Sequence, residues 1–333
     1  MRANAKKIIT EILEKKGEIR DVFFTACGGS LVELYPPKYF IENESVSIRS
    51  HLYTAQELLC ARPKTLTEKS VTIVCSHSGN TQEAYEAACF AKGQGSTVIT
   101  FTFVEGSKIN TVGDYNIRYD FGDDVNYLEN PIYQSMALMN ELLYQTEDFP
   151  HYEEMLKGFE KIDGITRQAA KKVQKRAEIF AQKYYQEPIV YVLSSGAAFA
   201  NAYGFSICSL MEMQWMHSCY IHSGEYFHGP FEVTDKNTLY VLLENSGKTR
   251  VMDERVLSFL TKYAEKYEVV DAKELGIDLI SEEVVDYFTP NFFYYVMCTY
   301  RNELAKLRNH PLEIRAEGEL QEEGFQALRR KKP

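Results

Sequence analysis

A hydroxyl-rich segment at residues 76–81, Ser-His-Ser-Gly-Asn-Thr, follows the apolar run 71–75 and precedes an alanine-rich stretch. This order predicts a strand, a tight turn and the first residues of a helix. A helix N-terminus leaves about four backbone N–H groups without intrahelical partners and carries about half a positive charge. The hydroxyl groups of Ser76, Ser78 and Thr81 could therefore hold a phosphate there, although Ser and Thr are also ordinary helix caps.

Two further turns of small residues follow apolar runs in the same way. Residues 27–30, Cys-Gly-Gly-Ser, come after the run 22–26, and residues 194–196, Ser-Ser-Gly, come after the run 189–193. Glycine lets the chain turn tightly between a strand and a helix. The repetition predicts an internal duplication, and it suggests that two such turns face one ligand.

The composition fits a globular protein of roughly two domains, because the chain has 333 residues, of which 45% are hydrophobic and 25% charged. A formal charge of −10 argues against a protein that binds nucleic-acid backbones, which needs a basic surface, but it permits a small anionic ligand.

The seven cysteines form no Cys-x-x-Cys pair and are typical of reduced thiols. No run approaches the roughly 20 apolar residues of a membrane span, and residues 1–16 predict an amphipathic helix instead of a signal peptide. We therefore expect a cytoplasmic protein without nucleic-acid or membrane partners.

Apolar runs typical of strands alternate with helical patterns, which predicts an α/β protein with parallel sheets. The polar segment 147–151 predicts a connector, so we divide the chain into domains at 1–150 and 151–315 and expect a flexible, charged tail at 316–333. Ligands of such sheets bind beyond the carboxyl ends of the strands, where all three small-residue turns lie. The predicted strands are 22–26, 46–48, 71–75, 97–103, 114–119, 189–193, 218–222, 238–243 and 268–271. The predicted helices include 54–60, 81–92, 131–144, 165–184, 197–214, 251–267 and 291–307.

The motifs at 27–30 and 76–81, together with Glu-Tyr-Phe-His-Gly-Pro at 225–230, resemble the sugar isomerase (SIS) fold, which also forms the isomerase half of glucosamine-6-phosphate synthase. The longer string within 210–230, with Asn-His-Pro at 309–311, is similar to the bacterial fructosamine-6-phosphate deglycases, including those for fructoselysine, glucoselysine and fructose-asparagine adducts. The resemblance covers nearly the whole chain. It implies two SIS domains, each a three-layer αβα sandwich around a parallel five-stranded sheet, and a sugar phosphate as the small-molecule partner.

The resemblance also implies which residues bind the substrate. A first group would hold the phosphate and consists of Ser76, His77, Ser78 and Thr81. A second group would line the sugar and consists of Gly28, Gly29 and Ser30. In the second half, Ser195 and Glu225 are further substrate-binding candidates, and Glu225 either orients His228 or binds the amino group of the substrate.

The resemblance assigns the proton transfers to Glu212 and His228. Their spacing of sixteen residues matches that of the acid/base pair in these families. In a substrate with a C2 ketone and an amine on C1, Glu212 would remove a C1 proton to form an enaminol. Protonation at C2 would give an imine of glucose 6-phosphate, which water hydrolyses to the sugar phosphate and the free amino acid. His228 would be the general acid, a role that suits a group titrating near neutrality. Without the motifs, a glutamate on the polar face of a helix and a loop histidine would be the simpler interpretations.

The resemblance implies no metal and no organic cofactor, and His217 and His222 lack an obvious third ligand for zinc. It also implies a homodimer or higher oligomer with shared active sites, in which His228 serves a neighbouring subunit. An aldose–ketose isomerase would share the proton transfer. A noncatalytic sugar-phosphate sensor would share the turns, although such regulators usually carry a DNA-binding module that is not seen here. No motif indicates which amino acid is released, or whether it is linked at C1 or C2. The tail at 316–333 departs from the deglycase pattern, which puts in question any role of a C-terminal lysine.

Overall fold

Two parallel β-sheets with matching strand order form the centre of the structure, a computed structural model that describes residues 2–122 and 125–312. The strands of the first sheet are β1 Asp21–Ala26, β2 Arg49–Thr54, β3 Ser70–Cys75, β4 Thr97–Thr102 and β5 Tyr115–Arg118. The strands of the second sheet are β6 Val190–Ser194, β7 Ser218–His222, β8 Leu239–Glu244 and β9 Lys266–Asp271. The sheets have the orders β2-β1-β3-β4-β5 and β7-β6-β8-β9, and all neighbouring strands are parallel. The shared order supports the internal duplication predicted from the turns.

Helices connect the strands and cover the sheets. In chain order they are α1 Arg2–Lys16, α2 Gly29–Glu44, α3 Ala55–Ala61, α4 Gln82–Gly93, α5 Pro131–Glu147, α6 Tyr152–Tyr184, α7 Phe199–Gly204, α8 Arg250–Tyr263 and α9 Thr289–Arg308. Local chemistry sets several of their starts. Asn130 accepts a hydrogen bond from the Tyr133 N–H at the start of α5, where Pro131 occupies the first turn.

Each sheet is apolar on both faces, as expected for parallel strands between helices. Every residue of β1, β3 and β8 is buried. In β1, Phe23 joins the cluster formed with α3 and α4, whereas Val22 and Phe24 join the cluster formed with α1, α2 and α5. That second cluster continues into α6, α9 and one face of the second sheet. A single apolar core therefore joins the two sheets.

Most predicted elements are confirmed with small shifts of their ends. Three elements had wrong boundaries. The strand expected at 46–48 is β2 at Arg49–Thr54, and the helix expected at 251–267 ends at Tyr263, before β9 begins. The helix expected at 165–184 begins at Tyr152, so the connector after α5 is only a few residues long. The end of α5 is marked by Asp148, which has a φ of 53°. The predicted domain boundary near residue 150 coincides with this turn and stays a prediction.

The second sheet has four strands instead of the predicted five. After β9 the chain forms the 3-10 turns Ile277–Leu279 and Val285–Phe288 and then enters α9. Gly276 takes a left-handed φ of 101° just before the first of these turns, which interrupts an extended conformation. The described part of this segment thus leads to α9 without a strand equivalent to β5.

The helix expected at 197–214 consists of three different pieces. A 3-10 turn at Gly196–Ala198 leads into α7, and α7 continues as a π-helix at Phe205–Met213. A π-helix is rare and often marks a functional site. The predicted tail at 316–333 lies outside the described residues. Among the described helices, none is long and apolar enough to cross a membrane.

Two glycines of α6 offer a matched test of the packing between α6 and the second sheet's connecting segment. A Cβ at Gly158 would lie 2.3 Å from the Phe288 ring, whereas a Cβ at the exposed Gly164 would meet nothing within 4 Å. We expect Gly158→Ala to destabilise the protein by about 1–3 kcal/mol through overpacking. Gly164→Ala should stabilise it by roughly 0.5–1 kcal/mol, because alanine is the better helix former. Urea unfolding followed by circular dichroism measures both, and a stabilised Gly158→Ala protein would contradict the packing.

Candidate active site

The turn between β3 and α4 collects hydroxyl groups around helix N–H groups. The Ser76 and Thr81 hydroxyls are 3.0 Å apart, and Ser76 Oγ accepts a hydrogen bond of 3.1 Å from the Gly79 N–H. Thr81 occupies the N-cap position of α4, but within this described turn its side chain makes no capping hydrogen bond. The Thr81 side chain therefore does not act as an ordinary helix cap. The first N–H groups of α4 face a polar turn suited to an anion.

Gly79 is required for the shape of this turn. Its φ of 66° is in the left-handed region, and an added Cβ would lie 1.8 Å from the Ser107 hydroxyl oxygen. Its carbonyl also accepts a hydrogen bond from the Ile109 N–H. Contacts with the segment after β4 therefore hold the turn in place.

His77 points toward a cluster of aromatic rings. Its ring stacks on Phe103 with a centroid distance of 4.9 Å, and it meets the Phe121 ring edge to face with a centroid distance of 5.3 Å. His77 Nδ1 and the Tyr119 hydroxyl share a hydrogen bond of 3.1 Å. Burial against these groups lowers the pKa of His77, which favours a neutral ring.

A buried polar group connects the first two turns. The Cys75 thiol, at the end of β3, donates a hydrogen bond to Glu33 Oε2 over 3.7 Å, and Ser30 and Tyr119 are hydrogen-bonded to the same sulfur. Burial raises the pKa of Glu33 to about 8. Glu33 lies one helical turn into α2, so the turn containing Ser30 and the turn beginning at Ser76 share this contact.

Glu212 and Glu33 line one cavity between the two sheets. Its volume is about 190 Å³, and its walls come from α2, the π-helix and α9. Gly29, from the first predicted turn, also lines it, as does Phe121, whose ring touches His77. The cavity therefore brings Glu212 together with the first turn, and Phe121 connects it to the turn at 76–81 through His77.

The position of Glu212 depends on the π-helix and on the end of α9. Just beyond the π-helix, Trp215 adopts a φ of 52°. Its ring packs against the His310 ring, with 4.4 Å between the ring centroids. The Gln214 side chain donates a hydrogen bond to the His310 carbonyl, and Arg308 Nε donates to the Gln214 carbonyl. These contacts explain the pairing of the 210–215 string with Asn-His-Pro at 309–311, because the second string anchors the first.

His228 and Glu225 lie apart from this cavity. His228 ends the 3-10 turn Tyr226–His228 and is exposed, as is Glu225. The His228 N–H donates a hydrogen bond of 2.9 Å to the Glu225 carbonyl. Neither His228 nor Glu225 is among the described residues that line the cavity. Within a single chain, then, Glu212 and His228 are not brought into one pocket.

Ser195 is buried and serves the structure of the second sheet. It is 0% exposed. Its hydroxyl donates to the Thr249 carbonyl at 3.1 Å and accepts from Asn245 Nδ2 at 2.8 Å. These bonds join the turn after β6 to the turn after β8.

The turn after β8 is a second copy of the turn at 76–81. Residues 246–249, Ser-Gly-Lys-Thr, correspond to Ser-Gly-Asn-Thr at 78–81, and both turns follow the third strand along the chain in their sheet and precede a helix. In the second copy the Asp286 carboxyl group lies against the turn: a Cβ at Gly247 would be 2.1 Å from its carboxyl carbon, and one at Gly196 would be 3.5 Å from Oδ1. The Asp286 carboxyl group thus occupies the space beside the second turn.

The sequence reasoning missed two of these features. The repeat at 246–249 was visible as a shared Ser-Gly-x-Thr pattern. Glu33 gave no such signal, because only the fold places its carboxyl group in the cavity. Among the described residues there is no group of three or more His, Cys, Asp or Glu side chains placed to hold a metal ion.

Comparison with known proteins identifies close relatives. The fructosamine deglycase FrlB of Bacillus subtilis (strain 168) is 41% identical over 304 residues, which cover 90% of this chain and 92% of the relative. The fructoselysine 6-phosphate deglycase of Escherichia coli (strain K12) is 23% identical over 269 residues, covering 81% and 77% of the two chains. No protein-family model matches the chain.

Solved structures agree with the fold. A candidate phosphosugar isomerase from Salmonella typhimurium LT2 superimposes with a TM-score of 0.92 at 38% identity and covers 95% of both chains. The C-terminal domain of glucosamine-fructose-6-phosphate aminotransferase from Francisella tularensis has a TM-score of 0.77 at 16% identity, over 92% of this chain and 88% of that one. The second similarity concerns the fold alone. The predicted α/β fold with parallel sheets is confirmed.

The raised pKa of Glu33 predicts a pH-dependent stability. The value of about 8 lies above the roughly 4.3 of an unfolded glutamate. Between these values the folded protein keeps a proton that the unfolded chain has lost, so the free energy of unfolding should fall as the pH rises through this window. Glu33→Gln should lose less stability than the wild type between about pH 6 and pH 8.5 in urea titrations.

The control for this measurement is Glu42→Gln, which changes an exposed residue of the same helix. It should retain the pH dependence of the wild type. An identical pH dependence in Glu33→Gln and the wild type would show that Glu33 ionises as readily in the folded protein as in the unfolded chain.

Proposed function

The chain belongs to the SIS-type fructosamine deglycase family, and we propose that it hydrolyses a phosphorylated Amadori product to glucose 6-phosphate and a free amino acid. The family predicted from the sequence motifs is thereby confirmed. The observation that carries the proposal is the 41% identity to the Bacillus subtilis enzyme over 90% of the chain. The arrangement of the first turn, the phosphate turn and Glu212 around one region supports it.

The phosphate of the substrate binds at the turn of Ser76, His77, Ser78 and Thr81. Hydroxyl and amide donors hold a dianion in fixed geometry and are reinforced by the positive end of α4. Unlike a lysine amine, these donors do not react with the carbonyl group of a sugar. Gly28, Gly29 and Ser30, at the start of α2, then lie on the sugar side.

Glu212 is the base. The C1 proton moves to its carboxylate, the C1–C2 double bond forms, and a proton is added to the C2 carbonyl oxygen, which gives the enaminol. Protonation of C2 then shifts the double bond to C1 and nitrogen, and water adds to C1 of the resulting imine. Loss of the amine from C1 leaves glucose 6-phosphate. His228 acts as the acid that protonates the departing oxygen or nitrogen.

A second copy of the chain supplies His228. In one chain the exposed His228 and the cavity of Glu212 are separate, so a complete acid/base pair requires another subunit. Exposed His228 and Glu225 would then enter the neighbour's site, and Glu225 would orient His228 or contact the substrate amine. This proposal includes the homo-oligomer expected from the sequence, and the cytoplasmic location stays a prediction.

The first test follows glucose 6-phosphate released from fructoselysine 6-phosphate with a coupled dehydrogenase. The wild type should give product, and Glu212→Gln should lower kcat by about 100-fold or more, because general base catalysis contributes this much. Other phosphorylated Amadori adducts are tested in parallel, since the released amino acid is not specified by the motifs. A wild type that binds sugar phosphates but cleaves no adduct would contradict the proposed activity.

Mixing variants tests whether the sites are shared. In a mixed dimer of Glu212→Gln and His228→Asn chains, one site has both substitutions and the other has neither. Subunit exchange between the two inactive proteins should therefore restore about a quarter of the wild-type rate. Mixed proteins that remain inactive after exchange, confirmed by mass spectrometry of the oligomers, would place both residues in one chain's site.

The phosphate turn has a matched control in its own duplicate. Thr81→Val removes a hydroxyl from the proposed site and should raise KM by about tenfold with little change in kcat. Thr249→Val makes the same change in the second turn, where Asp286 fills the cradle, and should leave KM unchanged. Steady-state kinetics of both variants, with inorganic phosphate as a competing inhibitor, measure the difference. Equal effects of the two substitutions on KM would contradict the assignment.

A further inference from the structure

The cavity of Glu212 contains a second carboxyl group that has no part in the steps above. Glu33 reaches the cavity from α2, and Glu212 reaches it from the π-helix. Glu33 is only partly exposed, and the Cys75 thiol donates a hydrogen bond to its Oε2. Carboxyl groups that are largely removed from water are rare without a partner or a function.

We propose that Glu33 binds the amino group that the substrate carries on C1, and that the cavity receives the amino acid attached to it. This inference rests on the proposed function. It adds a residue that recognises the amine of the substrate, as distinct from its phosphate and its reacting carbon.

The position of Glu212 carries the first step of the argument. The carbon from which Glu212 removes a proton, C1, is the carbon that bears the amine. A substituent on C1 therefore begins beside Glu212 and extends into space next to it. The cavity lined by Glu212 is that space, and Glu33 is the other carboxyl group on its wall.

The walls of the cavity suit the carbon chain of an amino acid. They are largely apolar, and a second cavity of about 270 Å³ continues from it along α9, with Phe121, Met213, Tyr294, Cys298 and Arg301 lining both. A sugar with several hydroxyl groups would leave polar atoms without partners against such a wall. An alkyl chain attached to an amine has no polar atoms of this kind and can pack against the wall. The apolar residues of the first cavity include Val32, Ile132, Phe205, Met213, Phe293 and Met297.

Charge complementarity favours a cationic amine at Glu33. A secondary alkyl amine is protonated near neutral pH, and its hydrogen bonds to a carboxylate are of the strong, charge-assisted kind. Burial keeps Glu33 largely protonated at pH 7 in the empty site, because its pKa is about 8. A bound ammonium group favours the ionised form, so its arrival displaces the Glu33 proton to solvent.

Other titratable or charged groups surround Glu33 on several elements. They are Cys75 from β3, Tyr119 after β5, Tyr294, Tyr295 and Arg301 from α9, and Glu212 from the π-helix.

Two unreactive probes separate the amine from the rest of the ligand. Reduction of the C2 ketone of the Amadori compound gives an N-substituted 1-amino-1-deoxyhexitol 6-phosphate, which keeps the amine but cannot form an enaminol. Hexitol 6-phosphate has the same carbon chain and phosphate without the amine. Calorimetry with both probes measures the affinity of the wild type, of Glu33→Gln and of the exposed control Glu42→Gln.

Glu33→Gln should lose affinity for the amine probe by about tenfold or more, and affinity for hexitol 6-phosphate should change by less than about twofold. Repeating the titration at pH 7 in buffers of different ionisation enthalpy should detect proton release on binding of the amine probe to the wild type and to Glu42→Gln. The release should be absent in Glu33→Gln. A structural role of Glu33 would not produce this difference in proton release.

Equal loss of affinity for both probes in a folded Glu33→Gln protein would overturn the inference, and so would unchanged affinity for the amine probe. These outcomes are distinguishable from failure of the proposed function. That failure would appear as a wild type that cleaves no phosphorylated Amadori product, whatever the two hexitol phosphates do in the binding experiment.

Discussion

Burial of both faces of the two parallel sheets confines the polar chemistry of this protein to the ends of the strands. β1, β3 and β8 have no exposed residue, so most of their side chains pack in the apolar core. The polar residues instead follow the strands, at turns such as 27–30 and 76–81, where the next helix begins. Because the strands are parallel, these turns lie at one edge of the sheet, and the contact of Ser30 with Cys75 joins them.

The second constraint is the apolar core shared by the two sheets. It includes residues of α2, α5, α6 and α9, and the cavity of Glu33 and Glu212 lies where α2, α9 and the π-helix meet. A carboxyl group at such a place loses hydration, which is why the pKa of Glu33 is raised. The same packing that stabilises the fold therefore sets the electrostatics of the site. A wider hydrogen-bonding repeat in the π-helix changes the direction of its side chains relative to an α-helix, and Glu212 lies in this segment.

The sequence predicted the elements with strong local signals and missed those set by tertiary contacts. The buried strands and the turn at 76–81 follow from apolar runs and glycine. In contrast, the end of the π-helix is held by tertiary contacts, because Trp215 adopts a left-handed conformation against His310, nearly a hundred residues later in the sequence. The missing fifth strand of the second sheet had no apolar run of its own, and the prediction followed the resemblance instead of the residues. The separation of His228 from Glu212 in one chain is a property of the fold that spacing cannot give.

The turns at 76–81 and 246–249 show how the two halves of a duplicated fold diverge. In the first copy, small hydroxyl residues and Gly79 leave the helix N-terminus facing a polar turn. In the second, Asp286 approaches both Gly196 and Gly247, and burial raises its pKa to about 6. An internal carboxyl group in this position leaves less room for an external anion beside the second turn than beside the first. Ser195, which the sequence predicts to bind substrate, joins the second turn to the end of β6 through its hydrogen bonds, and its role toward the substrate stays a prediction.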